Sequence, residues 1–145
     1  MAETAILCNH ASWHRYSTSV PRGSSAHRPS ATPRSFHPGW PLIYLGGQNA
    51  VDAQGQLVGA GDIAAQAAQA MDNAGTALTA AGAQLVDVVQ WTVVMLQGCD
   101  VNAAYGAIAP RLVRDDPPLV VASMVAGLGM PGAMIEISAI AAIQP

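Results

Sequence analysis

Residues 117–135 read PPLVVASMVAGLGMPGAMI, 19 consecutive residues without a charged side chain. A run of that length and polarity is long enough to cross a bilayer as a helix. Its own breakers forbid it: Pro117, Pro118 and Pro131, together with the interior Gly127, Gly129 and Gly132, deny the segment a continuous helical ladder. Two strands and a turn account for every breaker. Leu119–Val125 forms the first strand, Gly127-Leu128-Gly129-Met130-Pro131-Gly132 the turn, and Ala133–Ala142 the second strand.

The upstream segments extend this reading. Val88–Leu96 is rich in β-branched residues and apolar on both parities, the pattern of a central strand covered on both faces. Val101–Val113 reads as a helix with Asp100 as N-cap and Pro110 limiting its C-terminal end. Before these, Asp62 caps a longer helix in which Ile63, Ala67, Ala70, Met71, Ala74, Leu78 and Ala81 recur at three- and four-residue spacing, closed by Gly82. Pro41-Leu42-Ile43-Tyr44-Leu45 is a buried strand that stops at Gly46-Gly47. The order β-α-β-α-β-β with short connections predicts a two-layer α+β domain, one mixed sheet with both helices on one face. The other face carries apolar side chains that a single chain leaves uncovered, which predicts a closed oligomer.

Composition narrows the chemistry. The chain has 145 residues, one domain's worth, with 51% apolar and only 10% charged residues against about 25% charged in an average soluble domain. Aromatics at 5% and a net charge of −3 argue against nucleic acid as a partner. All six basic residues are arginine, which excludes lysine Schiff-base chemistry and a Walker lysine. Cys8 and Cys99 lie far apart without redox spacing, and residues 1–9 carry Glu3 and no basic residue, so a cytoplasmic protein is predicted. Residues 1–39 form a distinct arm: four arginines against one glutamate, all four histidines, seven serines and four prolines. Residues 40–145 carry two arginines against eight acids and form the folded domain.

In order along the domain stand Tyr44-Leu45-Gly46-Gly47-Gln48, Gly61-Asp62-Ile63 with Gln66 and Asn73, Ala80-Ala81-Gly82-Ala83, Asp87-Val88-Val89, Val101-Asn102-Ala103-Ala104-Tyr105, Val125-Ala126-Gly127-Leu128 and Ile135-Glu136-Ile137-Ser138-Ala139-Ile140-Ala141. In order and spacing these segments resemble the Rid (YjgF-type) enamine/imine deaminase family over residues 40–143. The resemblance implies a homotrimer whose sheets form a central barrel with the helices outside and ligand clefts between subunits. It implies no cofactor. It also makes Arg15-Tyr16-Ser17-Thr18-Ser19-Val20 a first short strand, with residues 22–38 as an inserted loop.

The resemblance further implies a substrate-binding set of Gly47, Asn102, Tyr105, Val120 and Ala122, with Glu136 as the catalytic carboxylate. Two positions depart from the family pattern. Val120 stands where the family's carboxylate-gripping arginine is expected, and valine offers only apolar contact in place of a bidentate guanidinium. Ala122 matches a position often held by cysteine. From the residues alone, Glu136 is the one charge after Asp116, flanked by isoleucines that point to the other face, so it shares its face with Met134 and Ser138. A carboxylate there either orders water for imine hydrolysis or is a strand acid satisfied by backbone groups or solvent.

Other motifs carry less. Gly127-x-Gly129-x-x-Gly132 spells a dinucleotide fingerprint but joins two strands and contains Pro131. Cys8, His10 and His14 have metal-compatible spacing without a structured scaffold, so no metal site is predicted. Asp115-Asp116 beside prolines reads as a solvated turn. Two functions fit the whole: a deaminase-type hydrolase for a small reactive enamine or imine, or a trimeric small-molecule-binding protein that has lost the chemistry.

Overall fold

The structure, a computed structural model, describes residues 39–144. The predicted short strand at residues 15–20, the 22–38 insertion and the Cys8-His10-His14 cluster all lie outside those residues. The described chain runs β1 (Leu42–Gln48), α1 (Ile63–Ala80), β2 (Val88–Leu96), α2 (Val101–Ile108), β3 (Leu119–Val125) and β4 (Ile135–Ala142).

The four strands form one mixed sheet in the order β1-β4-β2-β3. β4 lies antiparallel to both β1 and β2, and β2 runs parallel to β3. α2 is thus the crossover of a β-α-β unit whose strands are neighbours, while α1 links β1 to β2 across the inserted β4. α1 packs against α2, β4 and β1. Its buried stripe is Ile63, Gln66, Ala67, Ala70, Met71, Ala74 and Leu78, so the predicted apolar face is present with one glutamine inside it. Ala81 is the exposed C-cap. Small residues along this face let the helix sit close to the sheet, where Trp91, Ile135 and Ile137 fill the space.

Local chemistry explains the element ends. Asp62 accepts hydrogen bonds from the amides of Ala64 and Ala65, and Asp100 does the same for Asn102 and Ala103. α1 ends in a Schellman arrangement, with the Ala83 amide bonded to the Leu78 carbonyl and the Gly82 amide to that of Thr79. Gly82 closes it at φ +82°, a conformation without steric cost only for glycine.

Three expected boundaries shift, the last strand beginning at Ile135 and not at Ala133. The second helix stops at Ile108 and continues as a 3-10 turn over Ala109–Arg111, because Pro110 lacks an amide hydrogen and cannot extend the ladder to Val113. The first strand, expected to be buried, is exposed or half-buried along its length, and it does not stop at the glycines. It runs through them to Gln48 by a bulge, since pairing passes from Leu45–Ala139 to Gln48–Ile137 with Gly46 and Gly47 both opposing Ser138.

The faces of the sheet differ. Trp91, Val93, Met95, Ile135, Ile137 and Ala139 are buried beneath the helices. The opposite face, formed by Thr92, Val94, Leu96, Glu136, Ser138 and Ile140 with Tyr44 and Val121 beside them, has no covering layer among the described residues and is half-buried or exposed. The uncharged run of residues 117–135 forms β3, the turn and the entry to β4, and among the described residues no helix is long and apolar enough to cross a membrane.

Candidate active site

Strict alternation along β4 decides where Glu136 points. Ile135 and Ile137 are fully buried against the helices, so the carboxylate between them must stand on the open face, two positions from Ser138. Across the sheet it is paired with Val94 of β2, and Ser138 with Thr92. On its other side stands the β1 bulge. A Cβ at Gly47 would overlap the Glu136 carboxylate and come within 2.8 Å of its Cγ. The side chain of Glu136 thus fills the space that Gly47 leaves open. Among the described residues, no hydrogen bond or ion pair engages the Glu136 carboxylate.

The remaining predicted site residues gather elsewhere. Val120 is paired with Trp91, which places it on the helix side of β3, the edge strand. Ala122, paired with Val93, shares that side. Val120 and Tyr105 of α2 line one hollow of about 460 Å³, together with Leu112, Val113, Arg114 and Pro118. Asn102 is exposed in the first turn of α2, where its backbone amide donates to the Asp100 cap. The chain thus brings together Gly47 with Glu136, and Tyr105 with Val120, but holds the two pairs on opposite faces of its sheet.

Neither arginine of the domain is free to replace the missing one. Arg111 donates to the Ala68 carbonyl at 3.1 Å and pairs with Asp72 on α1. Arg114 donates to the carbonyls of Val86 and Val88 at 2.6 Å each, to Leu85 at 3.3 Å and to Asp116. Its fork thereby clamps the loop that feeds β2.

Three polar side chains escaped the sequence reading as functional residues: Asn49, Gln69 and Asn73. Gln66 and Asn73 were recognisable only as part of the family pattern. The available signal was spacing, since Gln66, Gln69 and Asn73 follow one another at three- and four-residue steps beside an otherwise apolar stripe. Polar groups there require internal partners. Gln66, at 0% exposure, has them: its Nε2 donates to the carbonyls of Gly59 and Gly132, and its Oε1 accepts from the Met134 amide at 2.8 Å.

The family model described as Endoribonuclease L-PSP matches residues 39–143. The chain belongs to this family, the Rid or YjgF family. It is similar to the 2-iminobutanoate/2-iminopropanoate deaminase of Homo sapiens, with 38% identity over 104 residues that cover 71% of this chain and 74% of that one. Among solved structures, the Rid-family protein YyfB of Yersinia pestis superposes with a TM-score of 0.63 at 31% identity, over 70% of this chain and 78% of the other. RidA from the Antarctic bacterium Psychrobacter sp. gives 0.63 at 29% identity, over 70% and 80%. The mixed sheet with two helices on one face is the fold of this Rid chain, as the order of its elements predicts.

Proposed function

We propose that this Rid-family chain is a deaminase-type hydrolase that converts small enamines or imines to carbonyl compounds and ammonia, in clefts between the subunits of a cytoplasmic homotrimer. The observation that carries the reading is the Glu136 carboxylate, held on the open face against Gly47 with no partner among the described residues. An enamine is protonated at carbon to give the imine; water then adds to the imine carbon, and the carbinolamine collapses to carbonyl and ammonia. Glu136 takes the proton of the attacking water and returns it to the departing nitrogen, so the carboxylate is regenerated and only water is consumed.

The likeness to the human imine deaminase supports the reaction class. The open face, apolar except for Glu136, Gln90 and a few hydroxyls, supports burial against further copies of the chain. The separation of Val120 from Glu136 supports clefts between subunits, because two halves on opposite faces converge only when neighbours supply one each. Valine at position 120 and the commitment of Arg111 and Arg114 favour substrates without a carboxylate. Ribonuclease activity, named in the family's description, is not adopted: two arginines against eight acids in residues 40–145 form no phosphate-binding surface.

The test is hydrolysis of 1-pyrroline, a neutral cyclic imine, and of freshly generated 2-iminopropanoate by the purified full chain. Ring-opened aminoaldehyde reports the first and ammonia the second. Acceleration over buffer that Glu136→Gln removes supports the reading. Acceleration of neither imine, with a ligand bound nonetheless, favours the trimeric binding protein.

A further inference from the structure

The Glu136–Gly47 pair sits at the end of a directed chain of amide side chains that begins on α1. Gln69 donates from Nε2 to Asn73 Oδ1 at 2.9 Å. Asn73 spends both hydrogens of its amide on the segment that follows β1, donating to the Asn49 carbonyl at 2.9 Å and to the Val51 carbonyl at 2.8 Å. Asn49 in turn donates from Nδ2 to the Ile135 carbonyl at 3.2 Å, on the peptide that joins Ile135 to Glu136.

The position of this chain matters because the ordinary ladder fails there. Between the Leu45–Ala139 and Gln48–Ile137 pairs, β1 carries an extra residue, and the bulge contains the two glycines beside Glu136. Glycine contributes no side chain to hold a bulge in place. Among the described residues the Gln48 side chain bonds to the carbonyls of Gly46 and Gly47, within its own strand, and so does not anchor the bulge to β4. Asn49 is the cross-strand tether next to the bulge, and Asn73 fixes the backbone that carries Asn49 to the helix. All three side chains are partly buried, so water competes poorly for their partners.

We infer that Gln69, Asn73 and Asn49 are positioning residues that set the distance between the Gly47 backbone and the Glu136 carboxylate, and through it the placement of the attacking water. This rests on the reading of Glu136 given above, but the geometry can be tested without it. The direction of the chain makes the inference specific. Asn73 acts as a double donor, so Asn73→Asp sets carboxylate oxygens against two carbonyl oxygens, whereas Asn73→Ala simply releases the turn.

The experiment compares Asn73→Ala, Asn73→Asp and Gln69→Ala with Ala77→Gly, which weakens α1 one turn beyond the chain. Backbone amide shifts of Gly47 and Glu136 are read by NMR on the full-length protein, and imine hydrolysis is read as separate kcat and KM. The expected result is displaced Gly47 and Glu136 amides with kcat reduced at least tenfold and KM within twofold for the Asn73 variants. Gln69→Ala gives a smaller displacement, and Ala77→Gly lowers Tm while leaving both amides and kcat in place. Should the Asn73 variants fail to fold, displacement of the two amides in Gln69→Ala carries the decision. Unmoved amides in the folded variants, or equal movement in Ala77→Gly, overturn the inference. Absence of hydrolysis in the unmodified protein with the amides displaced as expected overturns the functional reading and leaves the positioning role intact.

Discussion

Gly47 and Glu136, 89 positions apart in the chain, occupy complementary volumes, the missing side chain of one being filled by the carboxylate of the other. Gly47 has no positive φ, so its backbone would accept alanine, and the three atoms a methyl group would meet first all belong to the Glu136 side chain. Gly47→Ala is therefore expected to push the half-exposed Glu136 side chain out of its present rotamer at a cost of about 0.5–1.5 kcal/mol. Glu136→Ala in the same chain should restore most of that loss without restoring hydrolysis. Urea unfolding of the two single variants and the double variant checks the coupling, and additive costs would show that the two residues are independent.

Val120 sets the expected substrate preference. A bidentate arginine contact to a carboxylate contributes about 1.5–3 kcal/mol, or roughly ten- to a hundredfold in kcat/KM. Val120→Arg is expected to raise activity on 2-iminopropanoate by that factor and leave 1-pyrroline within about threefold. Glu136→Gln in the Val120→Arg background should abolish the gain. Equal activity of the unmodified protein on both imines would show that recognition of the carboxylate comes from another residue.

Val121 tests the assembly. It lies on the open face of the edge strand and is 47% exposed in the single chain. A buried aspartate at an apolar interface costs several kcal/mol when unpaired, so Val121→Asp is expected to convert a three-chain species to monomer in sedimentation equilibrium. A trimer of unchanged stability would place the subunit contact elsewhere.

Arg114 is expected to be structural. Its hydrogen bonds to the carbonyls of Leu85, Val86 and Val88 tie the entry of β2 to the loop before β3. Arg114→Ala leaves several acceptors without a charged donor and should destabilise the domain by about 2–4 kcal/mol. Arg114→Lys should recover only part of this, because an ammonium cannot reproduce the planar fork. Thermal unfolding measures both, and an unchanged Tm for Arg114→Ala would return the residue to the list of candidate ligands.

Local chemistry written in neighbouring residues determined most of the fold. Asp62 and Asp100 begin helices because their carboxylates satisfy free amides two and three positions on, an interaction that needs no distant partner. Alternation on Ile135-Glu136-Ile137 likewise committed Glu136 to the face opposite the core. Asn102, Tyr105 and Ala122 were legible as family positions, but their faces were not, because these depend on how α2 and β3 lie on the sheet.

Only the tertiary structure decided that Gly47 makes room for Glu136, that Arg111 and Arg114 are spent within the domain, and that Val120 and Glu136 face opposite ways. Each depends on a β1-β4-β2-β3 order that inserts the last strand between the first two, bringing distant residues into contact. The amide chain from Gln69 to Ile135 belongs to the same class. A polar residue on a helix announces that it needs a partner, and the partner, here a carbonyl beside a bulge, exists only once the strands have paired.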